Sequence, residues 1–355
     1  MQKRLLTAAI VAACVSINLT AVAAESGKTT VGGKAYLDVT NISKSSDGQK
    51  TDPSGMGADG KRFYLGVNHV FDNMFSANLT TDFKYDSGKA QATQLYVKKA
   101  YLQVKFSDAA VLRIGSADLP WVPFAEHMYG YRYVENVLID RLKFGTSADW
   151  GLHLKGKLLN NSVQYAVSMV NGNGYKNPSR SKSMDIEGRI SATPVKNLTL
   201  AAGFYSGKLG QETQTTSTAT NTATRVNFLV DYRLSIVNVG AEYFSADNYT
   251  KTAVKTGPSD KAAGYSAWVT VKPAKKIAVF ARYDHAQPSK DLNSSLKDTY
   301  YNLGVSYQAR KNLDLALVYK HDKVENGSIK TSNGTIGGVN QGKYDEIGLW
   351  AQVKF

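Results

Sequence analysis

Cysteine is almost absent from this chain: Cys14 is the only one in 355 residues. With that residue inside the N-terminal apolar stretch, the body of the protein has no disulfide framework, zinc–thiolate cluster or thiol nucleophile. Long apolar runs are missing too. Beyond the N-terminus no segment approaches the ~20 apolar residues that a membrane helix requires, and mean hydropathy is −0.30. Proline is scarce and confined. All eight prolines (Pro53, Pro120, Pro123, Pro178, Pro194, Pro258, Pro273 and Pro288) fall between periodic segments or at their ends, never inside one, where proline would delete a ladder hydrogen bond. Catalytic signatures are also lacking. There is no Gly-x-Ser-x-Gly elbow, His-Glu-x-x-His pair or phosphate-binding glycine loop. His69, His127, His153, His285 and His321 lack metal-ligand spacing, and His127 beside Glu126 fits a packing or water-facing role better than acid–base chemistry. These absences argue against an enzyme, a metal site and a cofactor.

Charge is in excess of one sign. The formal balance is +14, which suits nucleic acid, anionic lipid or small anionic solutes. The N-terminus narrows that choice. Lys3 and Arg4 precede a mostly apolar Leu5–Leu19, and Val22-Ala23-Ala24 offers a small-residue cleavage site. This pattern marks a secretory leader over 1–24, with 25–355 as the mature domain. A rival reading makes Val11-Ala12-Ala13-Cys14 a lipoprotein cleavage box. Export leaves nucleic acid as the least fitting partner.

Period two is the dominant pattern. At the end of the chain Ile347, Leu349, Ala351, Val353 and Phe355 alternate with Glu346, Gly348, Trp350, Gln352 and Lys354, the mark of a strand with one oily face. Similar segments begin near Val31, Arg62, Phe75, Leu95, Ala110, Phe144, Val163, Asp185, Leu198, Arg225, Val237, Gly264, Ile277, Tyr300, Leu313 and Tyr344. Seven tight turns alternate with eight longer polar connections, which predicts sixteen antiparallel strands, fourteen or eighteen being the neighbouring counts. Phe83, Tyr85, Phe204, Tyr243, Tyr283 and Tyr319 fall near the long-loop ends. Phe71, Phe106, Tyr232, Tyr307 and Phe355 fall near the short-turn ends. Two aromatic girdles, short turns on one side and long loops on the other describe an all-β, up-and-down transmembrane β-barrel. A soluble sandwich would have little reason to place aromatics at both rims.

The connection from Ser116 to Leu142 carries Trp121, Phe124, Tyr129, Tyr131 and Tyr133. So many large apolar groups need a packing site, and the lumen is the nearest. Leader, strand count, terminal Phe355, this third loop and the stretches Pro-Trp-Val-Pro-Phe and Tyr-Gly-Tyr-Arg-Tyr together resemble a Gram-negative outer-membrane porin, of the kind related to general and phosphate-selective porins. The resemblance implies a homotrimer in the bacterial outer membrane, in contact with lipid and lipopolysaccharide, whose third loop folds into the lumen and constricts a channel for passive diffusion. Its carboxylates would face a basic wall. The residues it assigns to the loop are Asp118, Glu126, Arg132, Glu135, Asp140 and Arg141. Alternation along the first five strands points Lys34, Arg62, Lys84, Lys99, Lys105 and Arg113 inward against Asp38 and Asp82. The loop is not purely acidic, and a dense arginine ladder for phosphate is absent. The expectation is a modest preference for small hydrophilic anions. External Lys176, Arg180, Lys182, Lys251, Lys255 and Lys261 could steer anions or bind lipopolysaccharide phosphates, and residues 208–224 have the composition of a flexible surface loop. The rival from another class is a barrel serving as a surface adhesin or scaffold without an open channel.

Overall fold

Alternating segments joined by tight turns can only pair with their neighbours, and across the longer connections the chain pairs neighbour with neighbour as well, all the way round. The computed structural model describes residues 27–85, 93–215, 220–249 and 257–355. Its wall has 16 strands: β1 Lys28–Ser46, β2 Gly55–Val70, β3 Phe75–Tyr85, β4 Thr93–Ser107, β5 Ala110–Asp118, β6 Ala148–Leu158, β7 Val163–Val170 and β8 Asp185–Val195. The circuit continues with β9 Leu198–Gly207, β10 Ala223–Arg233, β11 Val237–Asp247, β12 Lys261–Ala274, β13 Ile277–Gln287, β14 Lys297–Arg310, β15 Leu313–Glu325 and β16 Gln341–Lys354. Each strand pairs antiparallel with the next, and β1 also pairs with β16, so no edge is left open. The expected leader, Lys251, Lys255 and residues 216–219 of the expected surface loop lie outside the described residues.

Closure is sealed at the last residue. Gly33 N–H donates to the Phe355 carbonyl at 2.8 Å, and Phe355 N–H donates back to Gly33 at 3.1 Å. A Cβ on Gly33 would stand 2.1 Å from the Phe355 ring, so glycine leaves the terminal aromatic room to lie over β1 in this position. Outward positions carry exposed Leu, Val, Phe and Tyr side chains around the whole circuit. In water such a surface would drive association; in a bilayer, lipid covers it.

Several boundaries differ from the periodicity. β5 continues to Asp118, so that residue belongs to the wall and the third loop starts at Leu119. The next strand starts at Ala148 and not Phe144, because Phe144 turns inward and is buried against Phe244 and Tyr249. Two helices the alternation did not announce occupy the loop: α1 Val122–Tyr129 and α2 Leu138–Arg141. Pro123 sits at the start of α1, where its missing N–H costs nothing. The connection between β15 and β16 contains a small hairpin, Ser328–Thr331 with Gly334–Gly337.

Candidate channel and its constriction

The third loop packs against inward-facing residues on one side of the barrel. Trp121, Val122, Ala125, Tyr129, Leu138 and Ile139 are buried with Tyr205, Leu229, Phe244, Tyr249 and Trp268 of β9–β12 and the loop that follows β11. Tyr131 stacks on Phe280 at 3.7 Å, a contact that extends the seal to β13. Gly203 on β9 makes room, since a Cβ there would meet Trp121 at 2.4 Å. A buried loop must also satisfy its backbone, and the wall supplies the partners. Trp121 N–H donates to Glu187 and Leu138 N–H to Glu242, both at 3.0 Å. Arg282 donates to the Asn136 carbonyl at 2.6 Å, and Arg225 donates to the Phe144 carbonyl.

On the opposite side Tyr133 and Val134 of the loop cover only Tyr36 of β1 and Trp350 of β16, and the loop leaves open space along the rest of β1–β4. Two cavities lie between that side and the loop: one of about 430 Å³ toward the short turns and one of about 630 Å³ toward the long loops. Tyr64, Lys98 and Arg132 line both and mark the level where they meet.

The wall residues distribute unevenly. Lys34 and Lys99 line the inner cavity and Arg62 the outer. Arg113 stacks over Tyr101 at 4.4 Å and donates to Gln103, below the constriction. Lys105 sits at the short-turn rim, paired with Asp108 at 2.8 Å, two residues before β4 ends. The side chain of Lys84 lies outside the described residues. Asp38 and Asp82 are buried, Asp38 at 3.5 Å from Lys61, and Asp82 shared by Arg62 at 3.0 Å and the Tyr175 hydroxyl at 2.5 Å.

Two cavity-lining cations escaped strict alternation. In the β1–β2 ladder Tyr36 faces Arg62 while Leu37 faces Gly60, so Lys61 is the extra residue of a bulge. In the β3–β4 ladder Thr80 faces Lys99 while Thr81 faces Val97, and Lys98 is the extra residue. Each bulge turns both members of a basic doublet inward. The doublets themselves carried the signal. With strict alternation one Lys of each pair would face lipid, at roughly 2–4 kcal/mol near the midplane.

The loop charges also sort themselves. Asp118 contacts Lys99 at 2.5 Å, the one direct contact between an expected loop carboxylate and an expected wall cation among the described residues. Glu126 accepts from Arg132 within the loop, and Asp140 lies 4.0 Å from the same guanidinium. Glu135 is 3 % exposed and bound by Lys320 at 3.4 Å, Ser332 at 2.6 Å and Asn333 at 3.0 Å. Its carboxyl is held well below the usual range: burial pushes it up, and Lys320, Lys61 and the Ser332 and Asn136 hydrogen bonds outweigh that. Arg141 is a correction. It is 0 % exposed, enclosed by Asp284, Asp298 and Asp322 of β13, β14 and β15, and anchors the loop instead of facing the water path. A buried guanidinium requires such partners, and no local pattern in the sequence tied those three aspartates to it.

A closed barrel with a loop-narrowed passage lined by charged and polar side chains defines a transmembrane channel. Comparison by sequence gives the family: residues 7–327 match the model of the Gram-negative porins, and the chain belongs to that family. It is an outer-membrane porin for passive diffusion of small hydrophilic solutes. No curated protein matches the sequence. Among solved structures it is similar to the anion-selective porin of Comamonas acidovorans, with TM-score 0.68, 12 % identity, and 93 % of this chain and 100 % of that one covered. It is also similar to the trimer form of OmpT from Vibrio cholerae (TM-score 0.62, 15 % identity, 93 % and 100 % covered). A third is OmpF of Salmonella typhi in complex with daunomycin (TM-score 0.61, 12 % identity, 93 % and 98 % covered). At these identities the likeness is one of fold.

Proposed function

We propose that this porin prefers small anions, and that the residues meeting at the Tyr64–Lys98–Arg132 level set its selectivity. The carrying observation is the sign of the lining. The outer cavity has seven lysines and arginines against four carboxylates, the inner five against two. Glu126 and Asp118 are in contact with cations, and Glu135 and Glu346 share Lys320. A basic excess in a narrow passage with low-dielectric walls concentrates anions, and salt weakens the effect over ~10 Å at 0.1 M.

The reading includes cleavage after Ala24, no catalytic step, and assembly as a homotrimer surrounded by lipid and lipopolysaccharide. The description of the Vibrio OmpT structure as a trimer supports the assembly. Purified protein in a planar bilayer across a KCl gradient tests the selectivity. A reversal potential on the chloride side, larger at low salt, is expected; a cation-selective channel at low salt would overturn it.

A further inference from the structure

A third cavity opens beside the outer mouth, and its lining is chemically unlike the rest of the passage. It measures about 710 Å³ and is walled by Leu142, Phe144, Leu209, Leu292, Leu296 and Ile329. Its rim is shared with the outer cavity, and the charged residues common to both are Lys143 and Lys330. Asp260 is the only carboxylate in the lining among the described residues, and three backbone N–H groups (Lys261, Asp291 and Leu292) already donate to one of its oxygens.

Both lysines can accept a new partner. Lys143 has a left-handed backbone, φ 65°, uncommon for a side chain of this kind. Its ammonium donates to the Asp140 carbonyl at 3.2 Å, which leaves two of its three protons. Lys330, on the small hairpin, is exposed, and its ammonium has no hydrogen bond or ion pair among the described residues. An apolar chamber edged by two ammonium groups suits a molecule with an oily body and one negative end. Deeper in, a cation and a ring do lie together, the Lys98 ammonium 4.7 Å from the centre of the Tyr64 ring.

We infer that the outer vestibule binds small monocarboxylates carrying one apolar ring, the ring seated on the Leu292–Leu296–Ile329 side and the carboxylate between Lys143 and Lys330. The inference rests on the anion-preferring reading and adds a solute class to it. Water is displaced from apolar surface by the ring and not by a small carboxylate such as acetate, so ring-bearing anions enter preferentially.

Benzoate, acetate and benzyl alcohol, each added to the long-loop side of single channels in KCl, test it. Benzoate is expected to interrupt the chloride current at a concentration at least about tenfold below acetate, the factor that about 1.4 kcal/mol of ring burial supplies. Benzyl alcohol should not interrupt it. Leu292→Asn and Lys330→Gln, each confirmed as a heat-modifiable barrel, should each raise the half-blocking benzoate concentration several-fold. Equal block by benzoate and acetate, block by the neutral alcohol alone, or unchanged benzoate block in both variants would overturn the assignment. An anion-selective reversal potential together with any of these results removes the vestibule site and leaves the anion-preferring reading intact, whereas cation selectivity removes the anion-preferring reading itself.

Discussion

Glu126, on α1, accepts a hydrogen bond from the guanidinium of Arg132, a residue six positions further along the same loop. Both line the inner cavity. A carboxylate satisfied within its own loop opposes the basic wall only weakly, so the constriction keeps the sign of β1–β4.

Breaking that pair from either side should move selectivity in opposite directions. Glu126→Gln leaves Arg132 to Asp140 alone and is expected to strengthen anion preference; Arg132→Gln leaves an uncompensated carboxylate and should weaken it. One unit charge 4 Å from a passing ion is worth about 1 kcal/mol in water, roughly a fivefold change in the local ion ratio. Reversal potentials of the two variants should therefore fall on either side of the parent, and converge as salt rises. Shifts of the same sign in both would show that the pair does not act at the constriction.

The two bulges make a prediction about assembly. Lys98 is the extra residue between Val97 and Lys99 and faces the lumen, so Lys98→Leu should insert and fold. Leu102, on the same strand, faces outward and is 41 % exposed. Leu102→Lys should lower the yield of heat-modifiable barrel, because a lysine on the lipid face costs roughly 2–4 kcal/mol at the midplane. Equal yields would mean that Lys98 has the same lipid-facing environment.

Alternation was enough to read the barrel from the sequence, because a two-residue period survives every strand that has one lipid face and one aqueous face. Phe355 is exposed on the outer face, and Trp350 and Glu346 are buried on the inner one, as the pattern implies. What alternation hides is any departure from it. Lys61 and Lys98 are displaced by bulges that depend on a neighbouring strand, and helices α1 and α2 form on a loop whose apolar residues show no strand spacing. The roles of Glu135 and Arg141 were least legible. The three aspartates around Arg141 and the Lys320 that holds Glu135 lie more than a hundred residues away on β13–β15, with Ser332 and Asn333 in the hairpin beyond, so the choice between lining and anchoring is made by long-range packing.

Arg141 as an anchor leads to a stability prediction. Its guanidinium meets Asp284 at 3.0 Å, Asp322 at 2.9 Å and Asp298 at 2.5 Å. Removing it leaves buried carboxylates with fewer partners; Arg282, 2.6 Å from Asp284, still serves one of them. Loss of one member of such a cluster costs about 3–5 kcal/mol. Arg141→Ala should lower the temperature of the heat-modification shift and add current noise as the loop loosens. Changing Asp298 to Asn in the same protein should restore part of the lost stability. A parent-like melting temperature and quiet current in the single variant would assign the anchoring to the apolar packing of Trp121 and Leu138 instead.

Acidity separates the second anchor from the first. Glu135 is a loop carboxylate whose folded-state pKa is depressed: burial pushes it up, and Lys320 first, then Lys61, Ser332 and Asn136, bring it below the ordinary 4.5. A group shifted this way contributes stability that is fully present above its unfolded value and is lost only as pH falls through the folded one. Its contribution is therefore flat between about pH 8 and about pH 5. In Lys320→Met the strongest stabilising cation is gone and burial dominates, so the carboxyl shifts upward and the sign reverses. That variant should be less stable than the parent at neutral pH and recover part of the difference on acidification. Because Lys320 also contacts Glu346 at 2.5 Å, the comparison is best made in a Glu346→Gln background. The measurement is the temperature of the heat-modification shift across that pH range, taken as the difference between the two proteins. A difference that stays constant with pH would mean that Lys320 does not control the ionisation of Glu135, and that the loop is held at this point by Ser332 and Asn333 alone.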